Sequence, residues 1–110
     1  MSWLDIVEGD DWNDVVTETR SLAVNWNQLS VILGLPYEVI SNSVKVAGDN
    51  YQCWSEAVKQ WIEQNYNTEK YGKPSWRNLL KAVAKVNKAH FKKLAAKHQL
   101  KGEWLMLCEV

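Results

Sequence analysis

The sequence predicts an all-α protein, a bundle of six short amphipathic helices. Three observations predict it. Apolar residues recur at steps of three and four rather than two, which is the period of one helix face. Two prolines and five isolated glycines punctuate the chain at the ends of these apolar stripes. The 110 residues, 46% hydrophobic and 24% charged, have the composition of one globular domain. The helical pattern runs over residues 10–98. Residues 1–9 read as an N-terminal extension and 99–110 as a C-terminal apolar tail.

Each element follows from local signals. Asp10 or Asp11 caps a first helix whose face carries Trp12, Val15 and Val16. Acids in its first turn suit the helix dipole. Leu22, Trp26, Leu29 and Leu33 make the stripe of a second helix, stopped by Gly34. Pro36 opens a third helix, where its missing N–H costs nothing, and Tyr37, Ile40 and Val44 form the face. Gly48-Asp49-Asn50 reads as a turn. A longer fourth helix carries Tyr51, Trp54, Val58, Trp61 and Ile62 on one side, with Glu56, Lys59, Gln60 and Glu63 on the other. The polar stretch Asn65 to Lys73 is a loop. Ser75 or a neighbour caps the fifth helix, whose stripe is Trp76, Leu79, Leu80, Val83 and Val86. Asn87 breaks that pattern. Phe91, Leu94, Ala95 and His98 mark a sixth helix, ended by Gly102. The tail from Glu103 to Val110 is apolar enough to dock on the body or on another chain.

Composition excludes several function classes. Thirteen bases balance 13 acids, so the chain is no uniform polycation for nucleic acid or membrane. Cys53 and Cys108 stand far apart without a CxxC pair, and this makes no disulfide framework. No basic n-region opens the chain, and no apolar run nears the roughly 18 residues of a membrane span. These features point to a reducing, cytoplasmic setting. The zero net charge is an average. Through Glu69 there are 11 acids against three bases. From Lys70 to Gly102 there are 10 bases and no acid. Two readings stand: solvated helix faces, or acidic and basic surfaces that meet on different copies or partners.

No reactive constellation appears. The glycines sit singly at helix ends, which fits caps and turns rather than a phosphate loop. HExxH, GxSxG and CxxC are absent. His90 and His98 lie two turns apart on one helix, too far for two ligands of one metal. Cys53 flanks the Trp54 stripe as a small core or boundary residue. No catalytic residue, cofactor, metal or small-molecule substrate is implied. Arg77, Lys81, Lys85 and Lys88 run along one face of the fifth helix, and Lys92, Lys93, Lys97 and Lys101 continue the charge on the sixth. Such a row can track a phosphate backbone, so weak nucleic-acid binding is the alternative use. Against it, seven of these eight are Lys, whereas base edges are read most often by Arg. Trp76 and Phe91 also fall on the apolar face, where they cannot stack on bases.

The run Trp26-x-x-Leu29, Gly34-Leu35-Pro36, Ile40, Asp49, Cys53-Trp54, Trp61, Tyr71-Gly72-x-Pro74-x-Trp76-x-x-Leu79-Leu80-x-Ala82, closing at Ala95 and His98, resembles a death domain. It is closest to those of invertebrate innate-immune and apoptotic signalling proteins. The resemblance spans about Asp10 to His98. Ser30 departs from it, where a Gly commonly follows Trp-x-x-Leu, and so does the tail beyond Gly102. The resemblance implies six antiparallel helices with Greek-key connectivity, no enzyme activity, and homotypic binding that builds oligomeric signalling assemblies. The implied partners are other death-domain proteins or a second copy. The core it implies includes Trp26 and Trp76, to which the stripes add Leu29, Ile40, Trp54, Trp61 and Leu80. Family interfaces use charged patches on the early helices, the fourth helix and the connecting loops. The acidic candidates here are Asp10, Asp11, Asp14, Glu18, Glu38 and Asp49. The basic candidates are Arg77, Lys81, Lys85, Lys88, Lys92 and Lys93. Trp3 and Trp104 lie outside the bundle pattern.

Overall fold

The computed structural model describes residues 6–46 and 48–97. Seven α-helices lie among them: α1 (Trp12–Glu18), α2 (Trp26–Leu33), α3 (Tyr37–Val46), α4 (Asn50–Ile62), α5 (Thr68–Tyr71), α6 (Trp76–Val86) and α7 (Lys88–Lys97). No strand forms among the described residues, and no helix is long and apolar enough to cross a membrane. The protein is all-α.

Helix α4 is the hub. It packs against α1, α2, α3 and the 3-10 segment Arg20–Asn25. Helix α2 also packs against α6, and α6 carries α7. One continuous core results, because α4 turns Cys53, Trp54, Ala57, Val58 and Trp61 inward at helical spacing. Trp26, Leu29, Ile40, Trp76 and Leu80, the remaining core residues expected from the stripes and the resemblance, are buried with them. Val7 belongs to this core too. Its N–H donates to the Pro74 carbonyl at 2.9 Å, and Ile6 forms one antiparallel bridge with Ser75. The N-terminal extension is therefore packed on the body at Ile6 and Val7.

Polar groups in the core are paired. Thr19 is fully buried between α1 and the 3-10 segment. Its hydroxyl donates to the Val15 carbonyl at 2.6 Å and accepts from the Trp54 indole N–H at 2.6 Å. The half-buried Trp12 indole donates to the Ser55 carbonyl at 2.9 Å. Among the described residues no buried side-chain N or O lacks a partner.

Four elements differ from the sequence reading. The stripe from Leu22 to Leu33 is not one helix. Leu22 lies in the 3-10 segment Arg20–Asn25, and α2 starts at Trp26. The chain leaves α1 at Thr19, with φ −111° and ψ 13°, where the buried hydroxyl takes up the Trp54 indole N–H. The expected loop Asn65 to Lys73 contains a one-turn helix, α5. The Asn67 side chain accepts from the N–H groups of Glu69 and Lys70, and Gly72 ends the turn at φ +82°. The first cap also sits earlier. The Asp11 carboxylate accepts from the Glu8 N–H, closing a reciprocal box with Glu8 around the 3-10 turn Gly9–Asp11. Finally, α3 buries Ile40 and Ser43 rather than Tyr37 and Val44, which are exposed. Ser43 tolerates burial because its hydroxyl donates to the Val39 carbonyl at 3.0 Å. His98, Gly102 and the tail, with Trp3, Trp104 and Cys108, lie outside the described residues.

Candidate interaction surfaces

The basic face is built by one helix period. Helix α6 buries Trp76, Leu79, Leu80, Ala82, Val83 and Ala84 against the core. Positions on the opposite side must then face water, and Arg77, Lys81 and Lys85 are exposed there. Ser75 fixes where this period starts, since its hydroxyl accepts from the Asn78 N–H at 3.1 Å. Asn87 fixes the corner after α6. Its side chain accepts from the His90 N–H at 2.9 Å and so starts α7, which adds Lys88, Lys92 and Lys93 in exposed positions. No acidic residue interrupts α6 or α7. The six predicted basic residues thus lie on two consecutive helices and outside the core.

The six predicted acidic residues divide by what already holds them. Asp11 is half-buried and bound to Glu8. Asp49 caps α4, its carboxylate accepting from the Gln52 N–H at 2.8 Å. Glu18 accepts from the Lys97 ammonium at 2.8 Å. Asp10, Asp14 and Glu38 are exposed. Asp10, Asp11, Asp14 and Glu18 belong to the α1 region, whereas Glu38 stands on α3. There it borders a small groove with Glu56 and Gln60 of α4, and the Gln60 amide donates to Glu56 at 2.9 Å. The acids therefore stand on three elements: α1 with the turn before it, α3, and the cap of α4. Of those at α1, Asp11 and Glu18 also make structural bonds.

Between α2 and α6 lies a socket of about 140 Å³ lined by Ile32, Leu33, Tyr71, Asn78, Lys81 and Lys85. Its Tyr71 wall is rigidly set. Gly34 follows α2 at φ +97°, and a Cβ there would sit 2.5 Å from the Tyr71 ring. The ring can lie flat on the turn only because the position is glycine. Lys70 covers it with its ammonium 5.3 Å from the ring centroid. The Asn78 amide ties the α5–α6 link by donating to the Lys73 carbonyl at 3.1 Å. Tyr71, Asn78 and Ile32 were not singled out as site residues from the sequence. Gly34 was legible as a helix stop, but nothing local tells that a tyrosine 37 positions away closes over it.

An apolar cleft of about 380 Å³, lined by Gly9, Trp12, Lys59, Ile62 and Glu63, lies between the start of α1 and the end of α4. Cys53 faces the core. Burial pushes its thiol above the usual range, and the nearby Asp49 carboxylate adds to the effect. It therefore stays a thiol at neutral pH. His90 bridges α7 to the end of α1, with Nε2 2.8 Å from the Glu18 carbonyl and Nδ1 3.4 Å from the Ser21 hydroxyl. No group of three or more His, Cys, Asp or Glu among the described residues could hold a metal ion. No protein-family model matches the chain, and no curated protein and no solved structure matches it significantly.

Proposed function

We propose that this chain is a non-enzymatic interaction module of the death-domain type, with the Greek-key helix order of that family. In this reading it works in the cytoplasm, binding a death-fold partner or its own copies in an oligomeric assembly for cell-death or innate-immune signalling. The observation that carries the reading is the set of exposed basic residues on α6 and α7, two helices that hold no acid, with the opposite face of α6 in the core. The spaced residues from Trp26 to Ala82 that resemble the family support it, as does the all-α architecture. A surface of one charge sign on a molecule of zero net charge favours contact with a complementary surface, and no overall repulsion opposes self-association. Each rim pair contributes about 0–1 kcal/mol, so selectivity comes from several pairs acting together.

The test is light scattering over a salt series on wild type and on the K81E/K85E variant. The Debye length falls from about 10 Å at 0.1 M to about 3 Å at 1 M salt. Association is expected to weaken across that range. It should weaken further in the variant, whose helical circular dichroism stays intact because both positions are exposed. Association that is unchanged or stronger at high salt overturns the reading.

A further inference from the structure

We propose that the α2–α6 socket is the receptor half of a self-contact whose other half is the Tyr37–Glu38 corner of a second copy. The inference rests on the reading of the basic face as a contact surface and names what that face touches.

The socket combines features that one kind of partner satisfies at once. Its floor is apolar, made by Ile32 and Leu33, and the Tyr71 ring forms one wall. Lys81 and Lys85, both exposed, line it as well and give it positive charge, while the Asn78 amide is held by the Tyr71 and Lys73 carbonyls. Such a site takes an aromatic or aliphatic side chain with a carboxylate beside it. The Tyr71 wall is itself 40% exposed. The socket is also preformed. The Gly34–Tyr71 contact and the Asn78 bond hold its wall in place, so little order remains to be lost on binding.

The matching knob is in the same chain. Tyr37 is 79% exposed, the highest value among the large hydrophobic side chains described. Glu38 follows it directly and is exposed. The corner is stiff as well. Pro36 restricts the backbone, and its carbonyl accepts from the N–H groups of Val39 at 3.0 Å and Ile40 at 3.1 Å. Tyrosine suits the role because a large ring is placed at the cost of only two side-chain torsions. Asp10 and Asp14 have no comparably exposed aromatic residue beside them in sequence.

Knob and socket are close neighbours along the chain. Only Gly34-Leu35-Pro36 separates the socket floor at Leu33 from Tyr37. In the proposed dimer a two-fold axis passes this corner and each knob enters the socket of the other copy, so that both contacts form in one closed pair.

Sedimentation velocity on four samples tests this: wild type, E38K, K81E/K85E, and an equimolar mixture of the two variants. Wild type is expected to dimerise, with the apparent Kd raised about tenfold or more in each variant alone. The mixture should recover a dimer, because a basic knob then meets an acidic socket and an acidic knob meets a basic one. The Y37A variant should also weaken dimerisation, at every salt concentration, since its contribution is apolar. If E38K and Y37A associate as wild type does while K81E/K85E does not, the basic face is a contact surface and this pairing is wrong. If no variant changes association, the pairing and the basic-face reading both fall. Recovery in the mixture as species larger than a dimer overturns the two-fold arrangement.

Discussion

At the scale of single residues, two positions decide more than their size suggests. Thr19 is the polar centre of the core: it donates to Val15 and accepts from Trp54, both at 2.6 Å. The T19V variant keeps the shape and removes the hydroxyl, which leaves the fully buried Trp54 indole N–H without a partner. The expected loss is about 1–3 kcal/mol in unfolding free energy, read by urea denaturation at unchanged slope. T19S keeps the hydroxyl and should lose less. A T19V protein as stable as wild type would show that the indole finds another acceptor. Gly34 is the second position. Its φ of +97° and its closeness to Tyr71 make two separate demands. The G34A variant should cost about 1–2 kcal/mol for the left-handed backbone alone, and more for the displaced ring. The double variant G34A/Y71A separates these terms, since without the ring only the backbone cost remains. A non-additive cycle, with G34A less harmful in the Y71A background, is the expected result. Strict additivity would mean that the ring moves aside freely. The turn at Gly34 was legible in the sequence because a glycine after a helical stripe reads as a stop. Thr19 was not, because a buried threonine looks like any helix-end hydroxyl until its partner Trp54, 35 residues on, is placed.

At the scale of elements, legibility followed how far each signal reached along the chain. Helices α4 and α6 and the presence of α7 were legible because their apolar stripes are long and the breaks before them are local, at Asp49, Ser75 and Asn87. The short elements were missed for the opposite reason. A one-turn helix such as α5 has no stripe, and the 3-10 segment Arg20–Asn25 keeps Leu22 inward while its period is three rather than 3.6. The face of α3 was misread because Tyr37 and Val44 are apolar, whereas burial is set by what α4 covers, namely Ile40 and Ser43. The basic face was readable as a helical spacing, but the socket was not, since it joins α2, α5 and α6 across 53 residues of sequence from Ile32 to Lys85. The same locality makes the caps testable. S75A removes the acceptor for the Asn78 N–H and N87A the acceptor for the His90 N–H. Each should cost about 0.5–2 kcal/mol, with partial recovery in the Asp variant of each position. Amide exchange distinguishes the two, since N87A should speed exchange at the start of α7 and S75A at the start of α6. Uniform acceleration through both helices would show that the corner at Asn87 is not where α7 is held.

At the scale of the whole molecule, charge is segregated along the sequence while its sum is zero. The core needs no help from that segregation, for it is apolar and its buried polar side-chain groups are paired. The role proposed for the charge pattern is association rather than folding, and the two can be separated by thermodynamic linkage. A copy that binds folded chain but not unfolded chain stabilises the fold by mass action, by about 2.7 kcal/mol when the free partner is 100 times Kd. For a domain of this size, about 1 kcal/mol shifts Tm by several degrees. The Tm of wild type should accordingly rise by several degrees over a hundredfold increase in protein concentration in low salt. The rise should shrink in about 1 M salt, where charge pairs are screened and only the apolar part of the contact remains. K81E/K85E should show a smaller rise and should match the wild-type Tm at high dilution, because both lysines are exposed and outside the core. Calorimetry at three concentrations checks each statement. A wild-type Tm that does not move with concentration would mean that the folded chain does not bind itself over that range. A K81E/K85E variant with a lowered Tm at high dilution would mean that these lysines stabilise the single chain rather than an assembly.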